Sequence, residues 1–320
     1  MTTLKNYGVE VMLVGLIAVA VLVSANLSPY FLDAGTLINS TAAFTIFILM
    51  AFGLFPVVVL GEIDLSLTST LAVAAVAYAL GAQAGLPMIV CLLLALGVGA
   101  ALGLINGLLV AVYRLPSLAV TLGTMGAFRG LAYVLAGDAG ITGLDPSYLV
   151  LGQSWIGRLP SAIVLGLVVG LVVSIVMALM RVGRYSYAIG LSRPTADMSA
   201  LPVRKIIIAA YAGAGMMAGL AGWVWVSQYQ SARGDNADGA ILTVITAVVL
   251  GGVSVNGGIG RGLGVFLSLV LMLTIQTGMQ LANVPGTTQT LVIGSILVIA
   301  LLIPRLASYA QRYRLRQAGH

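Results

Sequence analysis

The 320-residue chain carries a net charge of +6, yet only 8% of it is charged and 60% is hydrophobic, with a mean hydropathy of +1.10. Soluble domains are about a quarter charged, so this composition excludes a soluble enzyme and points to a membrane protein, whose continuous apolar runs make it an all-α bundle and not a barrel of alternating strands. A lone cysteine, Cys91, excludes an internal disulfide, and a lone histidine, His320, argues against a histidine-built metal centre or acid–base catalyst.

After a polar start with Lys5, Val11 to Ala25 forms the first apolar run. Ala18-Val19-Ala20 resembles a processing site, but the run continues past it and further spans follow, so the expectation is a retained helix. Asn26 to Asn39 reads as an outside loop, and Ser40 to Leu60 as a second span interrupted at Pro56. Gly61-Glu62-Ile63-Asp64-Leu65-Ser66 follows, with Asp64 or Ser66 placed to cap a third span that ends at Ala84. Met88–Val112, Ser117–Ala136 and Ser161–Met180 are the fourth to sixth spans, with the longer polar segment Gly137 to Pro160 before the last of them. Ile206–Val226, Ala240–Ser254, Leu263–Leu281 and Thr290–Ile303 complete ten spans in a single transmembrane domain over residues 1–320.

Charge supports that topology with both termini in the cytoplasm. Lys5, Arg114, Arg181, Arg184, Arg193, Arg204, Lys205, Arg261, Arg305, Arg312, Arg314 and Arg316 fall on inside segments, twelve of the 15 basic residues. Arg158 and Arg233 fall outside, and Arg129 lies within a span. Trp223, Trp225 and Tyr229 suit an outer aromatic belt, and Tyr309 and Tyr313 an inner one. Because the basic residues sit at membrane edges, the positive charge is not a nucleic-acid signal.

Residues 181–205 are a polar island holding Arg181, Arg184, Arg193, Arg204 and Lys205. Ser192 can cap a helix, Pro194 is tolerated in its first turn, and Pro202 ends it, so the pattern predicts about two helical turns from Arg193 to Leu201. A plain loop obeying the positive-inside rule is the alternative. The string Gly183-Arg184-Tyr185-Ser186-Tyr187-Ala188-Ile189-Gly190, with Ala196 and Ser199-Ala200-Leu201-Pro202-Val203, resembles the coupling loop of ribose-type sugar importer permeases of the ATP-binding-cassette class, the group that includes ribose, xylose, rhamnose and autoinducer-2 permeases. Ala196-Asp197 and Ser199-Ala200 depart from that family's paired alanines and Ser-Gly.

Three more stretches carry the same resemblance in the same order. Gly61 to Ser66 is similar to a Gly-Gly-Ile-Asp-Leu-Ser signature, with Glu62 in place of the second glycine. Asn106-Gly107, Leu115-Pro116-Ser117 and Thr121-Leu122-Gly123-Thr124 resemble the family's central segment, and Leu250-Gly251-Gly252-Val253-Ser254 with Gly257-Gly258 and Gly260 its glycine-rich end. The resemblance implies a docking element for a cytoplasmic ATPase at Arg193, Pro194, Thr195, Ala196, Asp197, Met198, Ser199 and Ala200. Within it, Ala196 and Ala200 would face the ATPase groove and Arg193 would be a rim charge. It also implies a second permease subunit, identical or paralogous, a periplasmic solute-binding protein, and a place in the bacterial inner membrane among lipid.

Asn39 at the edge of the second span and Asn106, Thr121, Thr124, Gln276 and Gln280 inside spans are polar, and together they suit a path for a neutral hydroxylated solute. Gly99, Gly103 and Gly107, and again Gly215 and Gly219, are small-residue ladders that allow helix backbones to approach, within one chain or at a dimer seam. A Gly-rich phosphate loop ending in Lys-Ser or Lys-Thr is absent, so ATP hydrolysis belongs to a separate protein and no cofactor or catalytic residue is expected here. The Glu62/Asp64 pair has no nucleophilic, basic or metal-ligating neighbour in sequence, which argues against an acid pair. The expected function is import of a sugar-like solute. A nucleoside or branched-chain amino-acid permease, or an ion-coupled carrier, is the alternative, the last disfavoured because no carboxylate lies deep in a span.

Overall fold

The computed structural model describes residues 7–318, with side chains as far as residue 302. Lys5 and His320 lie outside the described residues, as do the side chains of Arg305, Tyr309, Arg312, Tyr313, Arg314 and Arg316. The helices are α1 (Gly8–Leu27), α2 (Ala34–Val59), α3 (Leu67–Gln83), α4 (Met88–Ala111), α5 (Ser117–Ala136), the single turn α6 (Val150–Gln153), α7 (Ser161–Leu179), α8 (Arg181–Leu191), α9 (Arg193–Met198), α10 (Val203–Tyr229), α11 (Ala240–Leu250), α12 (Gly262–Leu281) and α13 (Gly286–Ala318). Seven are long and apolar enough to cross a membrane: α1, α2, α4, α5, α7, α10 and α12. Three shorter apolar stretches, in α3, α11 and the first part of α13, stand where the other three spans were expected.

Burial sorts these helices into layers. α2 and α3 are the centre: the most apolar stretch of α2 is 78% buried, against 17% for α1. α3 is apolar on all sides, as a helix surrounded by protein must be, and it hides Leu71, Val73, Val76 and Tyr78 completely or nearly so. α4, α5 and α7 lie further out and present residues such as Leu93, Val134 and Leu171 on the outer surface. α1 lies along α12, with Ser24 against Gly278.

The glycine ladders are used within this chain. α4 and α10 are the most extensively packed pair. A Cβ on Gly99 would fall on the Gly215 carbonyl, one on Gly103 on the Tyr211 carbonyl, and one on Gly219 on the Ala95 carbonyl. With backbones this close, dispersion between main chains replaces side-chain interdigitation.

Several boundaries differ from expectation. α2 begins at Ala34, within the expected outside loop, because the Asp33 carboxylate accepts the Thr36 N–H at 2.9 Å and caps the helix there. The same helix runs through Pro56 to Val59. Pro56 is one turn from its end, and its carbonyl still accepts the Leu60 N–H. α11 has 11 residues, about 17 Å of helix, too short for a full crossing. Irregular backbone from Gly251 to Gly260 follows it, and Gly252, Gly257 and Gly258 take positive φ there. Such backbone is tolerated beside a membrane bundle where protein covers it. The segment from Gly137 to Pro160 is folded, with a 3-10 turn Pro146–Tyr148, α6, and a two-stranded hairpin (β1 Trp155–Ile156, β2 Leu159–Pro160). Its Ile141 bridges Ala232 of the α10–α11 loop.

Candidate functional site: a signature junction and a polar cavity

The linker between α2 and α3 is built from Gly61 to Ser66. Gly61 turns the chain with φ +80°, and the Asp64 carboxylate then accepts both the backbone N–H (2.8 Å) and the hydroxyl (2.7 Å) of Ser66. Ser66 Oγ in turn accepts Asn106 Nδ2 of α4 at 2.8 Å. Ile63 is held on both sides of its backbone. Its N–H donates to Ser117 Oγ at 3.2 Å, and its carbonyl accepts from Tyr211 Oη at 3.1 Å, with Thr121 Oγ1 at 3.3 Å sharing its one proton between this carbonyl and the nearer Ser117 carbonyl at 2.8 Å. One short linker is therefore bonded to α4, α5 and α10. Asp64, Ser66, Asn106, Thr121 and Tyr211 are all essentially excluded from solvent. Burial pushes the Asp64 carboxyl above the ordinary carboxylate value, and the Ser66 and Asn106 hydrogen bonds pull it back.

Three motifs far apart in sequence meet at this linker. The Gly258 N–H donates to the Val59 carbonyl at 2.8 Å. Gly257 packs on Gly61 and on Gly190, and Gly190 packs on the Val59 carbonyl, so closely that a Cβ on either would meet backbone. Tyr187 Oη donates to the Gly260 carbonyl at 2.9 Å. Gly190 and Gly257 thus serve backbone-to-backbone approach, while Gly61, Gly257 and Gly258 also take the positive φ that the turns require.

α8 and α9 lie on this junction. α8 was not anticipated as a helix, although its signal was present: Gly183, Ser186 and Ile189 recur at one-turn spacing and are its buried face. α9 begins as the sequence predicts, with Ser192 Oγ accepting the Thr195 N–H at 3.4 Å and Pro194 in the first turn. It stops at Met198, and Ala200 takes a left-handed conformation (φ +56°) before Pro202.

Two residues of α9 differ from their expected settings. Ala196 is 3% exposed and packs into this chain's own core, so it does not share an outward face with Ala200. The outward surface is Pro194, Thr195, Asp197, Met198, Ser199 and Ala200, with Met198 90% exposed. Arg193 is not a free rim charge: its Nη1 lies 3.1 Å from Glu62 Oε1 of the α2–α3 linker.

A second feature occupies the opposite end of α2, α10 and α12. A cavity of about 330 Å³ is lined by Ser40, Phe44 and Phe47 of α2, Trp225 and Tyr229 of α10, Asp238, Thr243 of α11, Gln276, Thr277 and Gln280 of α12, and Gln289 and Thr290 of α13. Its walls carry two aromatic pairs, Phe44 with Phe47 (centroids 4.7 Å apart) and Trp225 with Tyr229 (4.4 Å). Gln276 Nε2 reaches Thr243 Oγ1 at 3.4 Å. Arg129 of α5 stabilises the loop that brings Asp238 there, donating to the carbonyls of Gly234 (2.7 Å) and Asn236 (2.8 Å), with Asp238 3.7 Å away.

Of the six polar residues singled out in the spans, Gln276 and Gln280 come together on this cavity. Asn106 and Thr121 belong to the linker network, and Thr124 Oγ1 returns to the Thr121 carbonyl of its own helix. Asn39 is exposed near the start of α2, one residue before the cavity-lining Ser40. Sequence reading missed Gln289, which the α13 start supplies, and Tyr211, whose partner 148 residues away leaves no local signal.

The family profile described as "Branched-chain amino acid transport system / permease component" matches residues 36–301. The autoinducer 2 import system permease proteins LsrD of Escherichia coli (strain K12) and Shigella flexneri are each 33% identical to this chain over 303 residues, covering 93% of it and 92% of their own length. No solved structure matches. With the profile spanning most of the helices and the four signature stretches in place, the chain belongs to this permease family, the non-hydrolytic membrane subunits of ATP-binding-cassette importers.

Proposed function

We propose that the chain passes a neutral, hydroxylated, sugar-like solute of the autoinducer-2 type through the inner membrane, with ten spans, both termini cytoplasmic and α9 docked on a separate ATPase. The observation that carries the solute class is the lining of the cavity. Amides and hydroxyls of Ser40, Gln276, Gln280, Gln289 and Thr290 can bond sugar hydroxyls, and the Trp225 and Tyr229 rings offer apolar faces for its C–H groups. Asp238 is the single charged residue of that lining. A zwitterionic amino acid would need a fixed cation as well, which disfavours the branched-chain reading suggested by the family description. The solute would reach the cavity from a periplasmic binding protein and leave between this chain and a second permease subunit.

At the other end, the basic residues of α8 and α9 fit the cytoplasmic side, and α9 offers a small docking face centred on Met198. The test is uptake into vesicles carrying this chain, the second permease subunit, the ATPase and the binding protein. Wild type is expected to accumulate autoinducer 2 and not leucine. Met198→Glu should leave the membrane level unchanged, abolish uptake and reduce ATPase recovery in a pull-down about tenfold or more, the effect expected of a central interface residue. Leucine uptake would overturn the solute class, and full ATPase recovery by Met198→Glu would overturn the docking assignment.

A further inference from the structure

Glu62 occupies a glycine position of the signature it otherwise resembles, and its side chain is 13% exposed. A carboxylate removed from water to that extent needs a compensating charge, and among the described residues its salt bridge is to Arg193, 131 positions later. Arg193 opens α9. A cation at a helix N-terminus opposes the helix dipole, so helix stability does not account for its position, whereas the partner it reaches does. Directly after Glu62, Ile63 is bonded to Ser117 and Thr121 of α5 and to Tyr211 of α10, and two residues on Asp64 begins the chain of bonds to Asn106 of α4. Among the described residues, the ion pair is therefore a side-chain tie between α9 and a linker bonded to three membrane-length helices.

We propose that Glu62 and Arg193 are positioning residues that transmit displacement of α9 to the α2–α3 linker, and through it to α4, α5 and α10. The proposal rests on the docking of α9 described above. Arg193 then pulls on Glu62 when the ATPase moves α9, and the rigid Ile63 and Asp64 contacts shift the helices with it. Glu62 lies off the outward face of α9, so its removal should spare docking and impair only the conversion of hydrolysis into transport.

The experiment compares solute moved per ATP hydrolysed for wild type, Glu62→Gln, Arg193→Gln and the double variant, in vesicles holding the full complex. Glu62→Gln is expected to keep the wild-type membrane level and ATPase recovery while the ratio falls about fivefold or more, the lower end of a coupling between sites. Arg193→Gln should fall by the same factor and the double variant no further, since both singles remove one interaction. The reversed pair, Glu62→Arg with Arg193→Glu, should recover part of the ratio. A wild-type ratio in Glu62→Gln, or singles whose effects multiply in the double variant, would overturn the tie. Met198→Glu separates the two readings. If it loses ATPase recovery while Glu62→Gln transports normally, the tie alone falls. If it binds ATPase normally, the docking on which the tie depends falls.

Discussion

At the scale of single residues, the linker shows how buried polar groups specify one arrangement. The Ile63 carbonyl accepts from Tyr211, and the Thr121 hydroxyl, whose one proton is shared with the nearer Ser117 carbonyl, can turn to it when Tyr211 is lost. Tyr211→Phe should lower the stability of the purified protein by about 0.5–1.5 kcal/mol, the net worth of one hydrogen bond. Combining it with Thr121→Val should cost more than the sum, because the carbonyl is then left buried without a partner. Melting midpoints of the single and double variants in detergent check this; strict additivity would show that the two hydroxyls act independently. Thr121 and Asn106 were visible in sequence as polar residues inside spans, and the expense of burying them was a sound reason to single them out. What they bond was not visible, since a polar group in a span looks the same whether it faces water, solute or backbone.

At the scale of elements, glycine spacing decides how close two helices come. On α4, Gly103 lies against the Tyr211 backbone while Gly97 has nothing within 4 Å of an added Cβ. Gly103→Leu should therefore push α4 off α10, at about 1–3 kcal/mol or more because the obstructing atoms are backbone and cannot rotate away. Gly97→Leu should be close to neutral. Comparing the yield of folded protein and its melting midpoint for the two variants tests the packing, and equal behaviour would contradict it. The four-residue period of Gly99, Gly103 and Gly107 was readable as a close-approach face; which partner it would meet was not. α8 was legible by its period too, yet its polar flanks made the whole island look like loop. α9 was readable because Ser192, Pro194 and Pro202 act through local backbone chemistry.

At the scale of the whole molecule, the helices place the Gly61, Gly190 and Gly258 junction at one end and the polar cavity at the other. In the ten-span arrangement, reporter fusions at Asp145 and at Arg193 should respond from opposite sides of the membrane. The same side for both would break the topology and with it the direction of transport proposed here. Composition determined that this is a membrane protein, because 8% charged residues cannot cover a soluble surface, and the continuous apolar runs determined that it is helical. Short-range chemistry determined the cap at Ser192. Tertiary structure decided the rest: that three glycine stretches nearly two hundred residues apart share one junction, that Ala196 faces inward, that Gln276 and Gln280 share a cavity with Trp225 and Gln289, and that Glu62 meets Arg193. The reason is range. Caps, turns and hydropathy depend on neighbours in the chain, whereas an ion pair or a cavity wall depends on how helices pack, and packing is set by all the interfaces of the bundle together.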